Sequence, residues 1–341
     1  METNIRPVLL EVKDLKTHFK MRQGLIRAVD GVTFTLYRGE TLGIVGESGC
    51  GKSITARSIL RLIQPPGKIV SGQILLHMKA REGTSWQEIV DIAALQPDDP
   101  KIRQIRGGEV AMVFQEPMTS LSPVHTVGDQ ITEAIGLHQK CTQTEARKKA
   151  IDMLGRVRMS QPTRVFDQYP FQLSGGMRQR VMIAMALVCT PSLLIADEPT
   201  TALDVTTEAQ ILNVMRRLQR ELGMAIMFIT HNLGVVAQNT EHVAVMYLGQ
   251  VVEIADVKSL FADPKHPYTQ ALMRSIPRLG KTTGQPLESI KGTIPDPYRT
   301  PMGCRFHARC PQAIRGVCEV QEPPVIEIKA GQQVRCHLYT K

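Results

Sequence analysis

A chain of 341 residues with 43% apolar residues is long enough for two domains, or for one domain with a large appendage, and supports sizeable cores. Aromatic content of 4% argues against an aromatic nucleic-acid platform, and no apolar run approaches the roughly 20 residues a membrane helix needs. A net charge of +9 permits nucleic acid, an anionic membrane surface or nucleotides as partners and by itself decides nothing.

The first residues, Met1 to Pro7, lack the apolar core of a signal peptide, which points to the cytosol and leaves docking on a membrane protein open. Residues 8–12 and 28–36 are strand-like, with turns at Gln23-Gly24 and Arg38-Gly39-Glu40. Phe19, near the end of the first arm, is an aromatic able to stack on an adenine ring or to fill a core. Residues 41–45 form an apolar run that reads as a buried strand. It leads into Gly46-Glu47-Ser48-Gly49-Cys50-Gly51-Lys52-Ser53, which has the G-x-x-x-x-G-K-[ST] spacing of a phosphate-binding loop. Helix formers follow over 54–63 and stop at Pro65-Pro66. The three glycines let the backbone turn its N–H groups inward around phosphate oxygens at a helix N-terminus. Lys52 then reaches the β- and γ-phosphates and the Ser53 hydroxyl a Mg²⁺ ion. A plain glycine-rich strand–helix turn has no need of Lys-Ser at this spot.

Residues 71–76 read as another strand, and 77–108 as polar and loop-like, with short helical patches at 86–92 and 99–105. Residues 110–115 form a buried strand ending in the amide of Gln115, stopped by Glu116-Pro117. Helical periodicity runs over 127–160. Leu173-Ser174-Gly175-Gly176-Met177-Arg178-Gln179 opens a helix to 188, either a second anion-binding N-terminus or an ordinary N-cap followed by glycines. The apolar strand 193–196 ends in Asp197-Glu198. Two adjacent acids there are costly to leave unpaired. A metal-bound phosphate resolves that cost, with Asp197 holding Mg²⁺ and Glu198 orienting or deprotonating the attacking water. The loop 200–204 enters a helix over 206–222. A further strand, 224–229, delivers Thr230-His231-Asn232 at its carboxyl end, where ligands of open α/β sheets gather. Residues 243–247 and 250–254 read as a closing hairpin turned at Leu248-Gly249.

Residues 261–341 are rich in proline and loops, with little capacity for a core of their own, so a staple is expected. Of seven cysteines, four fall here: Cys304, Cys310, Cys318 and Cys336, spaced C-x5-C-x7-C-x17-C. A cytosolic setting speaks against disulfides. Four thiolates bind a [4Fe–4S] cluster or zinc, and the lack of a C-x2-C pair weakens the zinc ribbon. Four free thiols in a small packed domain is the remaining reading.

In this order, the phosphate loop, Gln115, the Ser174 motif, the acid pair, Ala202-Leu203-Asp204 and His231 resemble the ATP-binding cassette of ABC transporters, over roughly residues 8–260. Residues 114–121, 175–187 and 194–210, with the extension opening at 266–272, narrow the resemblance to the ATP-binding subunits of oligopeptide, dipeptide and related nickel importers. The resemblance implies an α/β fold of the ABC-type P-loop NTPase kind. It has a RecA-like core, an antiparallel β subdomain and a helical subdomain at about 116–180. These lie in a cassette of residues 1–260, followed by an irregular C-terminal extension, 261–341. It implies Phe19 on adenine, and Gly46, Glu47, Ser48, Gly49, Cys50, Gly51, Lys52, Ser53 and Ile54 around ATP. Mg²⁺ falls to Ser53, Gln115 and Asp197, and catalysis to Glu198, His231 and Gln115. Ser174, Gly175, Gly176 and Gln179 would reach ATP bound on a partner cassette, and Asp204 would lie at the interface between cassettes. The resemblance favours a [4Fe–4S] cluster over zinc on Cys304, Cys310, Cys318 and Cys336.

The implied machine has two transmembrane permease subunits, a second, related ATP-binding subunit and an external solute-binding protein, and no nucleic acid. It sits on the cytoplasmic face of a bacterial inner membrane and uses ATP to drive uptake of di- or oligopeptides or related small solutes. A soluble ABC ATPase acting on DNA or ribosomes is the alternative, as is an importer of the same family for nickel, sugars or opines. Three positions depart from the family pattern: Asn232 where an acid usually follows the histidine, Cys50 where Ser is commoner, and Ser122 where Asn is frequent.

Overall fold

The computed structural model describes residues 6–78, 88–115, 120–201, 203–275 and 290–340. Residues 86 and 87 of the helical patch expected at 86–92, the strand stop at Glu116-Pro117, residues 116–119 of the family stretch and Ala202 lie outside them. The rest of that patch is not a helix but a short strand, Ile89–Asp91, running into a turn at Ile92–Ala94.

Two sheets carry the molecule. The first is antiparallel, in the order β2-β1-β4-β5. β1 (Val8–Met21) and β2 (Gly24–Tyr37) form one long hairpin, and β4 (Gly67–His77) and β5 (Ile89–Asp91) extend it. Both hairpin arms outrun the apolar stretches that announce them, because their distal ends pair backbone to backbone beyond the buried face.

The second sheet has eight strands in the order β11-β12-β10-β9-β3-β8-β7-β6. β3 (Thr41–Val45), β7 (Leu193–Asp197) and β8 (Ala225–Ile229) are buried at every position, as strands covered on both faces must be. β6 (Val110–Val113), β7, β8 and β3 run parallel, and β9 (His242–Tyr247) pairs parallel with the other side of β3. β10 (Gln250–Asp256) turns back on β9 through Leu248-Gly249, as the sequence pattern expects.

The helix after the phosphate loop, α1 (Lys52–Ile59), is shorter than the stretch of helix formers: Arg61 adopts φ 53° and the chain turns before the two prolines. In the polar stretch, α2 (Pro100–Gly108) starts on an Asp99 cap. The periodicity over 127–160 resolves into α3 (Val127–His138) and α4 (Gln143–Arg156), each opened by a reciprocal Thr–acid capping box, Thr126/Asp129 and Thr142/Glu145. They pack with α5 (Pro162–Phe166), α6 (Gly175–Leu187) and α7 (Val205–Leu222) around one apolar core. A second core fills the space between the two sheets and α1.

After α8 (Leu233–Asn239) and the β9–β10 hairpin come α9 (Val257–Ala262) and α10 (Pro267–Arg274). The C-terminal region is largely irregular, as expected, but it also contributes β11 (Val325–Lys329) and β12 (Gln332–Arg335), which extend the main sheet through β10. Its interior is continuous with the cassette in a third core, where Tyr247, Tyr268 and Phe306 stack with ring centroids 4.7, 5.2 and 5.4 Å apart. Among the described residues no helix is long and apolar enough to cross a membrane.

Candidate active site

The carboxyl ends of four adjacent parallel strands meet on one edge, where open α/β sheets hold their ligands. β3 ends in the phosphate loop, β8 in His231, β7 in Asp197-Glu198 and β6 in Gln115. Motifs scattered over some two hundred positions of sequence are thereby neighbours.

The loop's glycines are dictated by close approach. At Gly46 (φ 152°) a Cβ would lie 2.2 Å from the Met246 carbonyl oxygen, and at Gly51 (φ 104°) 2.3 Å from that of Ala28. The buried Lys52 ammonium donates to the carbonyls of Gly46 (2.8 Å) and Glu47 (3.1 Å), so it arches back over the loop. Ser48 and Gly49 form the exposed lip, and Ile54 lies in the first turn of α1. The Cys50 side chain is enclosed, and burial pushes its thiol pKa up. Phe19 pairs across the hairpin with Ile26 and leans its ring on Gly67, where a Cβ would come within 2.4 Å of the ring.

Opposite the lysine lies the acidic half. The Ser53 hydroxyl donates to Asp197 Oδ1 at 2.9 Å, and Asp197 is only 3% exposed. Burial raises its pKa, the Ser53 hydrogen bond pulls it down, and the neighbouring Glu198 pushes it up again. A hydroxyl and a buried carboxylate, both hard oxygen donors, suit Mg²⁺, and a cation there relieves the cost of desolvating Asp197. Glu198 sits one residue on, in the left-handed region at φ 47°, a conformation that strains a non-glycine residue and tends to occur at functional sites. Three side chains converge on its carboxylate. Gln115 Nε2 donates to Oε2 at 3.1 Å, Thr201 Oγ1 donates to Oε2 at 3.0 Å, and His231 Nδ1 lies 3.2 Å from Oε1. Sequence reasoning placed Gln115 and His231 here but gave Thr201 no role. Its signal was position alone, three residues after the acid.

The Ser174 hydroxyl accepts from the Met177 N–H at 3.4 Å, so it caps α6, and Ser174 and Gly175 are exposed as a site reaching outward requires. Gly176 is required by packing, since a Cβ would lie 2.7 Å from Thr207 Cγ2 at the start of α7. Asp204 caps that same helix, accepting from the Thr207 N–H (2.9 Å) and hydroxyl (2.7 Å). Gln179 is a correction: it faces the interior and is 2% exposed, so it does not reach toward a partner cassette.

Glu47, expected to face ATP, is held from elsewhere. Its N–H donates to the Tyr268 hydroxyl at 3.0 Å, and its carboxylate receives both terminal nitrogens of Arg309, at 2.8 and 3.1 Å.

Burial pushes the Cys304 and Cys336 thiols up to about 11, and their neighbouring thiols add to the rise. Burial also raises Cys310, with Cys318 adding to it. Among the described residues no group of three or more His, Cys, Asp or Glu side chains is placed to hold a metal ion. The expected [4Fe–4S] cluster on Cys304, Cys310, Cys318 and Cys336 therefore has no ligand geometry behind it among the described residues.

The family of ABC transporters matches residues 29–201, and the oligopeptide/dipeptide transporter C-terminal region matches residues 252–318. The chain is 50% identical to a probable peptide ABC transporter ATP-binding protein of Sinorhizobium fredii, over 96% of this chain and 94% of that one. It is 49% identical to the oligopeptide transport ATP-binding protein AppD of Bacillus subtilis, over 97% of each. Among solved structures, the dimeric post-hydrolysis state of the ATP-binding cassette MJ0796 bound to ADP and Pi superposes with a TM-score of 0.62 at 27% identity, covering 73% of this chain and 99% of that one.

Proposed function

The chain belongs to the ATP-binding subunits of ABC transporters, in the group that carries the oligopeptide/dipeptide C-terminal region, and from that premise we propose that its ATPase powers uptake of di- or oligopeptides. The observation that carries the chemistry is the convergence of Gln115, Thr201 and His231 on one strained glutamate at the sheet edge. The peptide cargo rests on likeness to relatives named for peptide transport, together with the matching C-terminal region.

Lys52 and the loop amides bind and orient the phosphates, and Phe19 supplies a flat face for the base. Ser53, Gln115 and Asp197 would hold Mg²⁺, which when bound would neutralise charge on the nucleotide phosphates. Glu198 accepts a proton from the attacking water or orients it, Thr201 and Gln115 fix the carboxylate, and His231 contacts the γ-phosphate. Ser174 and Gly176 complete the site of a second, related cassette, with Asp204 at the seam, so that ATP joins two cassettes and hydrolysis parts them.

On the cytoplasmic face of a bacterial inner membrane the chain would join two transmembrane permease subunits served by an external solute-binding protein. In support, a largely apolar cleft of about 250 Å³ opens along β6, lined among others by Leu62, Met112, Phe114, Met182 and Met185, and suits an apolar helical segment of a permease. For the cysteines, an iron–sulfur cluster stays a proposal that rests on the spacing of the four residues and its resemblance to the family, not on ligand geometry. Iron and acid-labile sulfide in anaerobically purified protein would establish it, and stoichiometric zinc or metal-free protein would reject it.

The decisive experiment on function uses the reconstituted complex. Glu198→Gln abolishes turnover, by roughly 10²-fold or more, while ATP still binds. Unchanged hydrolysis removes Glu198 from its role. In the wild-type complex, stimulation of ATPase activity by short peptides and their binding protein supports the cargo. A response only to nickel chelates, sugars or opines replaces it.

A further inference from the structure

The second residue of the phosphate loop is tied to the C-terminal region by both its main chain and its side chain. The Tyr268 hydroxyl, on α10, takes the Glu47 N–H. Arg309, on the short turn 307–309, closes a two-pronged ion pair on the Glu47 carboxylate. The guanidinium is itself fixed. Its side chain is 5% exposed, its Nε donates to the Lys291 carbonyl at 3.1 Å, one terminal nitrogen reaches the Tyr247 hydroxyl at 3.3 Å, and its carbon lies 5.8 Å from the Tyr247 ring centre. Four residues upstream, Arg305 pairs with Asp30 of β2 and donates to the Leu248 carbonyl, anchoring the same turn to the nucleotide-side hairpin. Cys304 and Cys310 bracket both arginines in sequence. The Glu47 carbonyl in turn receives the Lys52 ammonium, so only the glutamate separates Arg309 from the phosphate-binding lysine.

A buried, bidentate arginine–carboxylate pair fixes direction as well as distance, which a lysine cannot reproduce. We propose that Arg309 is a positioning residue of the ATPase. By holding Glu47 it keeps the phosphate loop and Lys52 in the shape that takes the nucleotide phosphates, so that ATP affinity is set from the C-terminal region. The inference rests on the ATPase reading above. The Arg309 side chain makes its polar contacts with Glu47, Tyr247 and Lys291. Its effect passes through Glu47 and is felt in nucleotide binding more than in the chemical step.

The test uses the full-length chain, with ATP affinity measured by titration of a fluorescent ATP analogue and KM and kcat measured in the assembled transporter. Arg309→Met weakens binding and raises the KM for ATP roughly tenfold with a smaller change in kcat, Glu47→Gln does the same, and Arg309→Lys recovers part of the loss. The double variant is no worse than the worse single one, because both remove one interaction. Wild-type affinity in folded Arg309→Met, or losses that add in the double variant, overturns the proposal. Where Arg309→Met does not fold, Arg309→Lys and Glu47→Gln decide, and unchanged affinity in both overturns it equally. Wild-type protein that binds ATP and loses turnover in Glu198→Gln upholds the underlying reading whatever Arg309 does. Wild-type protein that fails to bind ATP removes both.

Discussion

Asn232 accepts the N–H groups of Gly234 and Val235 at 3.0 and 3.3 Å through Oδ1, and so caps α8 directly after His231. Asparagine and aspartate are equal N-caps, so the carboxamide does the local work of the acid that is usual in the family, and the cap orients the turn presenting His231. Asn232→Asp should leave stability within about 0.5 kcal/mol, whereas Asn232→Ala should cost about 1 kcal/mol in the unfolding transition of the cassette. Equal losses in the two variants would mean that the amide nitrogen, and not the cap, matters. At this scale the sequence was most legible where chemistry demands a residue type. The lysine, the serine, the acid pair, the glutamine and the histidine all stand where their motifs put them. Gln179 was not legible for a geometric reason. It lies five positions beyond the Ser174 cap, about 140° round the helix at 3.6 residues per turn, and so points inward when Ser174 points out.

Elements defined by burial on both faces, β3, β7 and β8, were recognisable as unbroken apolar runs. The hairpin β11–β12 was not, because its buried positions on β12 alternate with exposed ones and make sense only against β10. α10 shows the same dependence on context. Its cap is His266, whose Nδ1 accepts the Tyr268 N–H at 3.0 Å while the His266 main-chain N–H donates to the buried Glu253 carboxylate at 2.8 Å. Complete burial pushes the His266 imidazole pKa down from 6.5 to about 3, which keeps Nδ1 free to accept. Between those values the unfolded chain binds a proton that the folded chain refuses, so this contribution to stability is full above about pH 6.5 and is lost as pH falls below it. At pH 5.5 the loss should be on the order of 1 kcal/mol relative to neutral pH. His266→Asn keeps an acceptor at the cap without the titration, so its unfolding midpoint should fall less steeply than wild type between pH 7.5 and 5.5. Parallel pH profiles for the two proteins would show that His266 is not the group responsible.

For the molecule as a whole, the order of motifs made the site readable, because a parallel sheet brings every strand's carboxyl end to the same edge whatever lies between them in sequence. What proline content concealed is that the C-terminal region shares a core with the cassette. Val45, Val243, Val245, Tyr247, Val252 and Leu260 supply one half of it, and Tyr268, Met273 and Phe306 the other. A chain of that size holding half a core has little from which to offset its conformational entropy. Residues 261–341 expressed alone should therefore show neither hydrogen-exchange protection nor a cooperative thermal transition. In the full chain their amides should lose protection together with those of β9 and β10. An isolated fragment that unfolds cooperatively would instead make this region a domain with its own core. The shared core would then be a docking interface, and the hold of Arg309 on Glu47 a contact between two separately stable bodies.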